Sequence, residues 1–210
     1  MAEVKIGKLC LGQMQTNCYF VYREGESEVM LFDPASAGKH IADKLAENGF
    51  SVASIVLTHG HFDHIGGADE LRSVSGAKIS ALAEEKELLE DPWINVSAQM
   101  KKPVTLACDE FFHDGDTLSC GSVSCKVIAT PGHTAGGACF YFEEGGFAIC
   151  GDTLFAESIG RTDFPTGDMN TLIASVEKKI FTLPDETKLF PGHGPATTVG
   201  HEKEYNPFFS

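Results

Sequence analysis

The chain has 210 residues, of which 42% are hydrophobic and 22% charged, and its formal net charge is −14. This size and composition predict one globular domain, residues 1–210, with a sizeable core. The acidic charge and the lack of a basic stripe exclude nucleic acid and anionic membranes as expected partners, and no apolar run approaches the roughly 18 residues that span a bilayer.

The N-terminus and the cysteines both indicate a cytoplasmic protein. Residues 1–7 lack the basic-then-apolar pattern of a secretory signal. The seven cysteines are an odd number without a CxxC pair. Most lie in apolar runs, as expected for buried free thiols in a reducing compartment: Cys18, Cys125, Cys139 and Cys150.

Hydrophobic periodicity predicts a similar order of elements in the two halves of the chain. The first half is predicted to contain paired strands at 18–22 and 29–32, a helix at 38–48, a buried strand at 54–57, a helix ending before Gly76, a strand at 78–81 and an acidic helix at 83–90. The second half is predicted to contain strands at 123–129, 138–142 and 147–150, a helix at 170–181, a strand at 187–190 and a tail helix at 198–205. This order predicts two sheets face to face with helices outside.

Residues 91–113 are the least regular part of the sequence. Loops of this length within a compact domain are often lids or binding segments, which is one interpretation of this stretch. Trp93 is the only tryptophan of the chain, and both ordinary packing and a place in a pocket wall are compatible with its position.

Three histidines and an aspartate follow the predicted strand at 54–57 within six positions. Residues two apart in an extended segment point to the same side, so His59 and His61 are expected to converge on one centre. The chain must then turn, which presents Asp63 and His64 to a second centre. Imidazole and carboxylate are ligand types that suit zinc, iron or manganese.

Three more metal-type residues share this context of a strand end held in a glycine turn: His133, Asp152 and His193. Together with the cluster they supply seven groups, about the number that two metal ions with shared ligands and an exchangeable water require. The context is absent from the remaining histidines, which we interpret as structural or solvent-facing: His40, His113 and His201.

With these motifs, the chain resembles the metallo-β-lactamase superfamily over nearly its whole length. The segments 58–64, 131–134, 151–153 and 191–194 are most similar to glyoxalase II-like hydrolases, the hydroxyacylglutathione hydrolases. The resemblance implies an α/β fold, a four-layer αββα sandwich with the site along the edge of the sheets. It further implies one metal on His59, His61 and His133, a second on Asp63, His64 and His193, and Asp152 as the bridging ligand.

The resemblance also implies roles for residues around the metals. Asp33 would orient a ligand histidine from the second shell, although a turn-starting aspartate before Pro34 is an equal alternative. Arg161, in a Gly-Arg-Thr-Asp segment, would bind a substrate carboxylate, or else pair with Asp163 or Asp168.

The reaction implied is hydrolysis of a thioester such as S-lactoylglutathione, a small-molecule substrate. Two divalent cations, zinc first and iron or manganese as alternatives, would bring the pKa of a bridging water towards about 7, so that hydroxide attacks the carbonyl carbon. Asp63 would help to hold this nucleophile. Glyoxalase II proper has a C-terminal helical domain for glutathione, whereas 17 residues follow His193 here, so substrate recognition is expected to differ.

Two other functions stay open at this point. A mononuclear iron persulfide dioxygenase, from a related branch with the same Gly-Arg-Thr-Asp segment, would use His59, His133 and Asp152 as two histidines and one carboxylate. A non-catalytic metal-binding or partner-binding protein is the third interpretation. The sequence leaves the acyl group, the metal and the oligomeric state undetermined.

Overall fold

The computed structural model describes residues 2–100 and 103–209. Its first sheet has six strands in sequence order: β1 (Val4–Leu11), β2 (Thr16–Arg23), β3 (Glu28–Phe32), β4 (Ser51–Val56), β5 (Lys78–Leu82) and β6 (Glu110–Phe112). Strands β1 to β3 pair antiparallel, and β3 to β6 pair parallel. The parallel half brings the carboxyl ends of four strands to one edge of the sheet.

The second sheet is built from later strands and has the order β14-β13-β10-β9-β8-β7. Its part of the chain contains β7 (Thr117–Cys120), β8 (Val123–Ala129), β9 (Ala138–Phe142), β10 (Phe147–Gly151), β11 (Leu154–Phe155), β12 (Ser158–Ile159), β13 (Lys188–Pro191) and β14 (Thr197–Thr198). Strands β11 and β12 form a separate two-stranded hairpin directly after β10. Strand β13 runs parallel to β10, so both end at the same edge.

Helices cover the outer faces of both sheets. They are α1 (Gly38–Glu47), α2 (Phe62–Ile65), α3 (Ala68–Ser75), α4 (Lys86–Glu90), α5 (Met169–Lys178) and α6 (Val199–Tyr205). Ile41 of α1 and Leu71 of α3 pack in one buried cluster with the first sheet. Leu172 of α5 and Val199 of α6 pack in another with the second sheet.

The alternation of side chains in β3 shows how the layers are joined. Val29 and Leu31 face the cluster under α1 and α3, whereas Met30 and Phe32 face the second sheet. The Phe32 ring lies 5.0 Å, between centroids, from that of Phe140 on the opposite sheet. A strand buried on both faces is apolar at every position, which explains its continuous apolar run. The predicted α/β sandwich, αββα, is confirmed.

Most predicted elements exist, with ends that differ by at most three residues. The helix predicted at 170–181 is α5 followed by a 3-10 turn at Ile180–Thr182. The helix predicted at 83–90 likewise begins as a 3-10 turn, Ala83–Glu85, before α4. Several strands were not predicted, among them the eight-residue edge strand β1, which is only partly buried and whose apolar residues alternate irregularly.

The segment 91–113 is less irregular than predicted, because it ends in β6 and includes a 3-10 turn at Ser97–Met100. Residues 101 and 102 of this segment lie outside the described residues, and its role as a lid stays a prediction. Both interpretations of Trp93 were wrong, since its side chain is 69% exposed and does not line the cavity at the predicted site. In the described ranges 2–100 and 103–209, no helix has the length and apolar character needed to cross a membrane.

Candidate metal centre

The carboxyl ends of four strands bring all seven predicted ligands to one edge of the sandwich. Three loops supply one ligand each, His133 after β8, Asp152 after β10 and His193 after β13, and the loop after β4 supplies His59, His61, Asp63 and His64. Asp63 and His64 lie in the first turn of α2, because the chain turns into a helix at Phe62. This turn separates the first two ligands of the motif from the last two.

His59, His61 and His133 form a first cluster, in which one ligand atom of each lies within 4.8 Å of the others. His133 Nε2 lies 2.9 Å from His61 Nδ1 and 3.3 Å from His59 Nε2. Burial lowers the pKa of His59 well below its usual range, and burial together with His133 lowers the pKa of His61 to about 3. All three are therefore neutral imidazoles, the form that binds a metal.

Hydrogen bonds on the far sides of two rings fix which nitrogen faces the cluster. His133 Nδ1 donates to the Arg161 carbonyl oxygen at 2.7 Å, an atom that can only accept. His59 Nδ1 lies 3.1 Å from Thr58 Oγ1, whose own hydrogen is donated to Asp33 at 2.7 Å. Both protons thus lie on Nδ1, and the lone pairs of the two Nε2 atoms point at each other across 3.3 Å.

Asp63, His64 and His193 form the second cluster with the same arrangement. His64 Nδ1 donates to Asp33 Oδ2 at 2.9 Å, and His193 Nδ1 donates to the Met14 carbonyl oxygen at 3.2 Å. Their Nε2 atoms consequently face each other at 3.4 Å, and His193 Nε2 lies 3.2 Å from Asp63 Oδ2.

The carboxylates make the electrostatics of the second cluster opposite to those of the first. Burial lowers the pKa of His64, but Asp152, Asp63 and Asp33 outweigh burial and raise it to about 10. Burial likewise lowers the pKa of His193, but Asp63 and Asp152 outweigh burial, so the pKa is raised. Without a metal, a proton therefore occupies the position in this cluster that a cation would take.

Asp152 lies between the two clusters. Its Oδ1 is 3.5 Å from His64 Nε2, and its Oδ2 is 3.7 Å from His133 Nε2 and 3.6 Å from His193 Nε2. The backbone must leave room for this carboxylate, since a Cβ atom on Gly192 would lie 2.2 Å from Asp152 Oδ1. One carboxylate is thus within reach of both clusters, as a bridging ligand requires.

The donor set fits two divalent cations. Asp152 Oδ1 is buried and has no hydrogen-bond partner within the described part of the chain, which is unfavourable for a polar atom. In the first cluster the lone pairs of His59 and His133 converge at 3.3 Å without a hydrogen between them. A cation in the first cluster would bind these lone pairs, and one in the second cluster would replace the proton beside Asp63 and Asp152. The mixture of imidazole and carboxylate suits zinc, iron or manganese.

Asp33 connects the two clusters from behind. It is 2% exposed, and it accepts from the Thr58 backbone N–H at 2.8 Å, from Thr58 Oγ1 and from His64 Nδ1. It therefore orients His64 directly and His59 through Thr58, one histidine in each cluster. These partners are 25 and 31 positions away, so the contacts favour the orienting role over that of a turn-starting aspartate.

Arg161 makes the ion pair with Asp163 that was one of its predicted alternatives. Its Nε and Nη2 atoms donate to the two carboxylate oxygens, both at 2.8 Å, and its guanidinium carbon lies 3.7 Å from the Phe164 ring centroid. Pairing with Asp168 was wrong, because that side chain caps α5 by accepting from the Thr171 N–H. The substrate-binding role of Arg161 stays a prediction.

Sequence reasoning missed several residues that fix the ligand loops. Asn17 Nδ2 donates to the Pro191 and Gly194 carbonyl oxygens at 2.9 and 3.0 Å, which ties the His193 loop to β2. Thr16 Oγ1 donates to Asp63 Oδ2 at 3.1 Å, and buried Glu85 contacts two of the ligand loops. The sequence carries no signal for such roles, since Thr16 and Asn17 are ordinary polar residues before an apolar run and only the structure shows that they are buried.

A cavity of about 570 Å³ opens onto both clusters. Beside the ligands, its lining is mainly apolar and includes Phe62, Val96, Met100, Phe155 and Phe164. A larger groove, about 880 Å³, lies on the outer face of the second sheet near Lys179 and contains none of the predicted ligands.

Comparison with known proteins places the chain among metallo-hydrolases. A family model described as the metallo-beta-lactamase superfamily matches residues 11–193. The probable metallo-hydrolase YqgX of Bacillus subtilis is 35% identical over 209 residues, covering 99% of this chain and 98% of that protein. The hydroxyacylglutathione hydrolase GloC of Haemophilus influenzae is 33% identical over 199 residues, covering 93% of each.

Solved structures agree with this result. The BLEG-1 B3 metallo-beta-lactamase superposes with a TM-score of 0.93 at 36% identity, covering 98% of this chain and all of that one. TTHA1623 in a di-iron-bound form has a TM-score of 0.86 at 30% identity, with 96% and 99% covered. ETHE1 from Myxococcus xanthus has a TM-score of 0.78 at 27% identity, with 97% and 83% covered.

Proposed function

This chain belongs to the metallo-beta-lactamase superfamily, and we propose that it is a binuclear metal-dependent hydrolase that cleaves a thioester such as S-lactoylglutathione. The observation that carries the proposal is the pair of ligand clusters: two imidazole lone pairs converge without a hydrogen between them in the first, and two imidazoles meet carboxylates around the position of a cation in the second. The similarity to a relative named as a hydroxyacylglutathione hydrolase supports the thioester as substrate.

The metal-binding residues divide between the clusters, with His59, His61 and His133 in one, Asp63, His64 and His193 in the other, and Asp152 shared. Two bound divalent cations supply a water of lowered pKa and stabilise negative charge that develops on a carbonyl oxygen. Zinc is our first choice of metal, and iron is supported by the similarity to TTHA1623, which has been solved in a di-iron-bound form.

Asp63 and Asp152 are the carboxylates that face the cavity, and each is about one-eighth exposed. Burial opposes ionisation of Asp63, but His64 and His193 outweigh it and hold the pKa of Asp63 well below its usual range. Both residues can therefore accept a hydrogen bond from a water in the cavity and orient its oxygen towards a substrate carbonyl. This is the catalytic role that we assign to them.

Thioester hydrolysis is chemically suited to this site. Water adds across the acyl–sulfur bond: a carbon–oxygen bond forms, the carbon–sulfur bond breaks, and a carboxylic acid and a thiol leave. A thiolate is a good leaving group and does not need a strong general acid. We further propose a small-molecule substrate and a cytoplasmic location, the latter supported by cysteines that are all free in the described residues.

The proposal is tested with purified protein by metal analysis and a thiol-release assay. We expect two metal ions per chain and release of thiol from acyl-glutathiones. His133→Ala should bind one metal ion fewer and release no thiol. His40→Ala is the matched control, because His40 is exposed on α1 and belongs to neither ligand cluster. Folded, metal-loaded protein that releases no thiol from several acyl-glutathiones would overturn the thioester assignment.

The mononuclear iron persulfide dioxygenase is a second candidate. His59 Nε2 and Asp152 Oδ2 lie 3.3 and 3.7 Å from His133 Nε2, which places two histidines and one carboxylate side by side. The similarity to ETHE1 leaves this alternative open. One iron per chain, with oxygen uptake on glutathione persulfide and without thioester hydrolysis, would establish it in place of the hydrolase.

A further inference from the structure

We propose that Glu85 is a positioning residue that joins the two ligand loops of the first metal cluster through the two oxygens of its carboxylate. The inference rests on the metal-binding part of the proposed function, and it does not depend on which substrate is cleaved. The hydrogen bonds of Glu85 go to residues beside the ligands and not to the ligand side chains, and Glu85 does not line the cavity, so any effect on the reaction acts through the loops.

Each oxygen of Glu85 serves a different loop. Oε1 accepts from the Gly60 N–H at 2.8 Å, and Gly60 lies between the ligands His59 and His61. Oε2 accepts from the Gly136 N–H at 2.7 Å and from Thr134 Oγ1 at 3.1 Å, on the loop that carries His133. One loop follows β4 of the first sheet and the other follows β8 of the second, so the carboxylate spans the gap between the sheets.

The burial of Glu85 makes these contacts essential to its position. The residue is fully buried, and no Lys, Arg or His of the described chain forms an ion pair with it. A buried carboxylate is strongly unfavourable unless its oxygens are hydrogen-bonded, and here three donors surround it. Both loops are therefore bound to a group that cannot move out to water.

Glycines in both loops allow the loop backbones to approach Glu85 and α4 closely. A Cβ atom on Gly136 would lie 2.4 Å from the Glu85 backbone nitrogen, and one on Gly60 would lie 2.8 Å from side-chain carbons of Leu88 and Leu89. Those two leucines are buried in α4, which follows Glu85 directly, and they anchor the carboxylate to the core. The second cluster has no such contact with Glu85 among the hydrogen bonds of the described residues.

Replacement by glutamine tests the inference, because the amide keeps the size of the side chain and offers one acceptor and one donor. In either orientation, the NH₂ group of E85Q faces an N–H donor of one loop. We expect a folded protein in which the first cluster binds metal at least tenfold more weakly, while the second retains its affinity. The stoichiometry after passage over a desalting column should fall from two metal ions per chain to one.

Glu84→Gln is the matched control, since Glu84 is the exposed neighbour and loses the same charge; it should keep both metals. Competition with a chelator gives the two affinities separately, and a purely structural role would weaken both clusters equally. If E85Q does not fold, Thr134→Val removes one donor and should weaken only the first metal. Folded E85Q or T134V that binds both metals as tightly as the wild type would overturn the inference. Wild-type protein that binds two metals but cleaves no thioester would contradict the proposed function and leave the role of Glu85 intact.

Discussion

Asp33→Asn is the substitution that best separates the orienting of ligands from simple burial. The amide keeps the size of the side chain but places an NH₂ group where one carboxylate oxygen lies. If this is Oδ2, it loses two accepted hydrogen bonds, from Thr58 Oγ1 at 2.7 Å and from His64 Nδ1 at 2.9 Å. The Thr58 hydroxyl can rotate and accept, but His64 Nδ1–H then faces another donor.

The second cluster should respond to this conflict. His64 can relieve it by moving its proton to Nε2, the atom that lies 3.4 Å from His193 Nε2, and a protonated Nε2 cannot bind a metal. Loss of such an orienting carboxylate lowers metal affinity by about 10- to 100-fold, or about 1.4–2.7 kcal/mol. The metal-free protein should lose about 1.5–3 kcal/mol in its free energy of unfolding, the contribution of one buried hydrogen bond to a charged group.

Chelator competition measures the affinity of the second metal, and urea unfolding of the metal-free protein measures stability. Asp43→Asn is the control, because Asp43 is exposed on α1 and pairs with Lys39 at the surface. The reasoning would be refuted by D33N protein that binds its second metal as tightly as D43N.

Three further predictions concern the bridging ligand, the mouth of the cavity and pH. Gly192→Ala should displace the Asp152 carboxylate, since the added Cβ of residue 192 would lie 2.2 Å from Asp152 Oδ1. Metal analysis should show at least tenfold weaker binding of metal, and full metal occupancy in a folded variant would contradict this. Arg161→Ala should raise KM about tenfold with little change in kcat if the guanidinium binds a substrate carboxylate, while Asp163→Asn should not raise KM. An unchanged KM in R161A would show that Arg161 has a structural role in its ion pair with Asp163 and does not bind the substrate. Burial raises the pKa of Glu85 from 4.5 to about 7, so in metal-free protein its contribution to stability is present below pH 4.5 and lost as pH rises through about 7. Relative to E85Q, the wild type should lose about 3 kcal/mol of its free energy of unfolding between pH 4.5 and about 7. If urea unfolding gives both proteins the same dependence of stability on pH, the raised pKa of Glu85 is refuted.

The sequence by itself determined the layers and the types of ligand. Apolar residues at every position of 29–32 required a strand covered on both faces, and Leu172 and Val176 marked the inner face of α5. The metal-type residues were recognisable because each lies in a loop after a strand, and strands that run in the same direction end at one edge of the sandwich. These features depend on local periodicity, which a single sequence contains.

Only the tertiary structure decided which atom of each ligand side chain faces a metal. Which nitrogen of His59 or His64 faces a metal depends on Asp33, which lies 26 and 31 positions away in the chain. The roles of Glu85 and Asn17 likewise come from backbone groups on distant loops, and a buried glutamate in a short helix has no sequence pattern that identifies its partners. Hydrogen bonds between loops form only after the two sheets have packed, because packing alone brings their donors and acceptors within 3 Å.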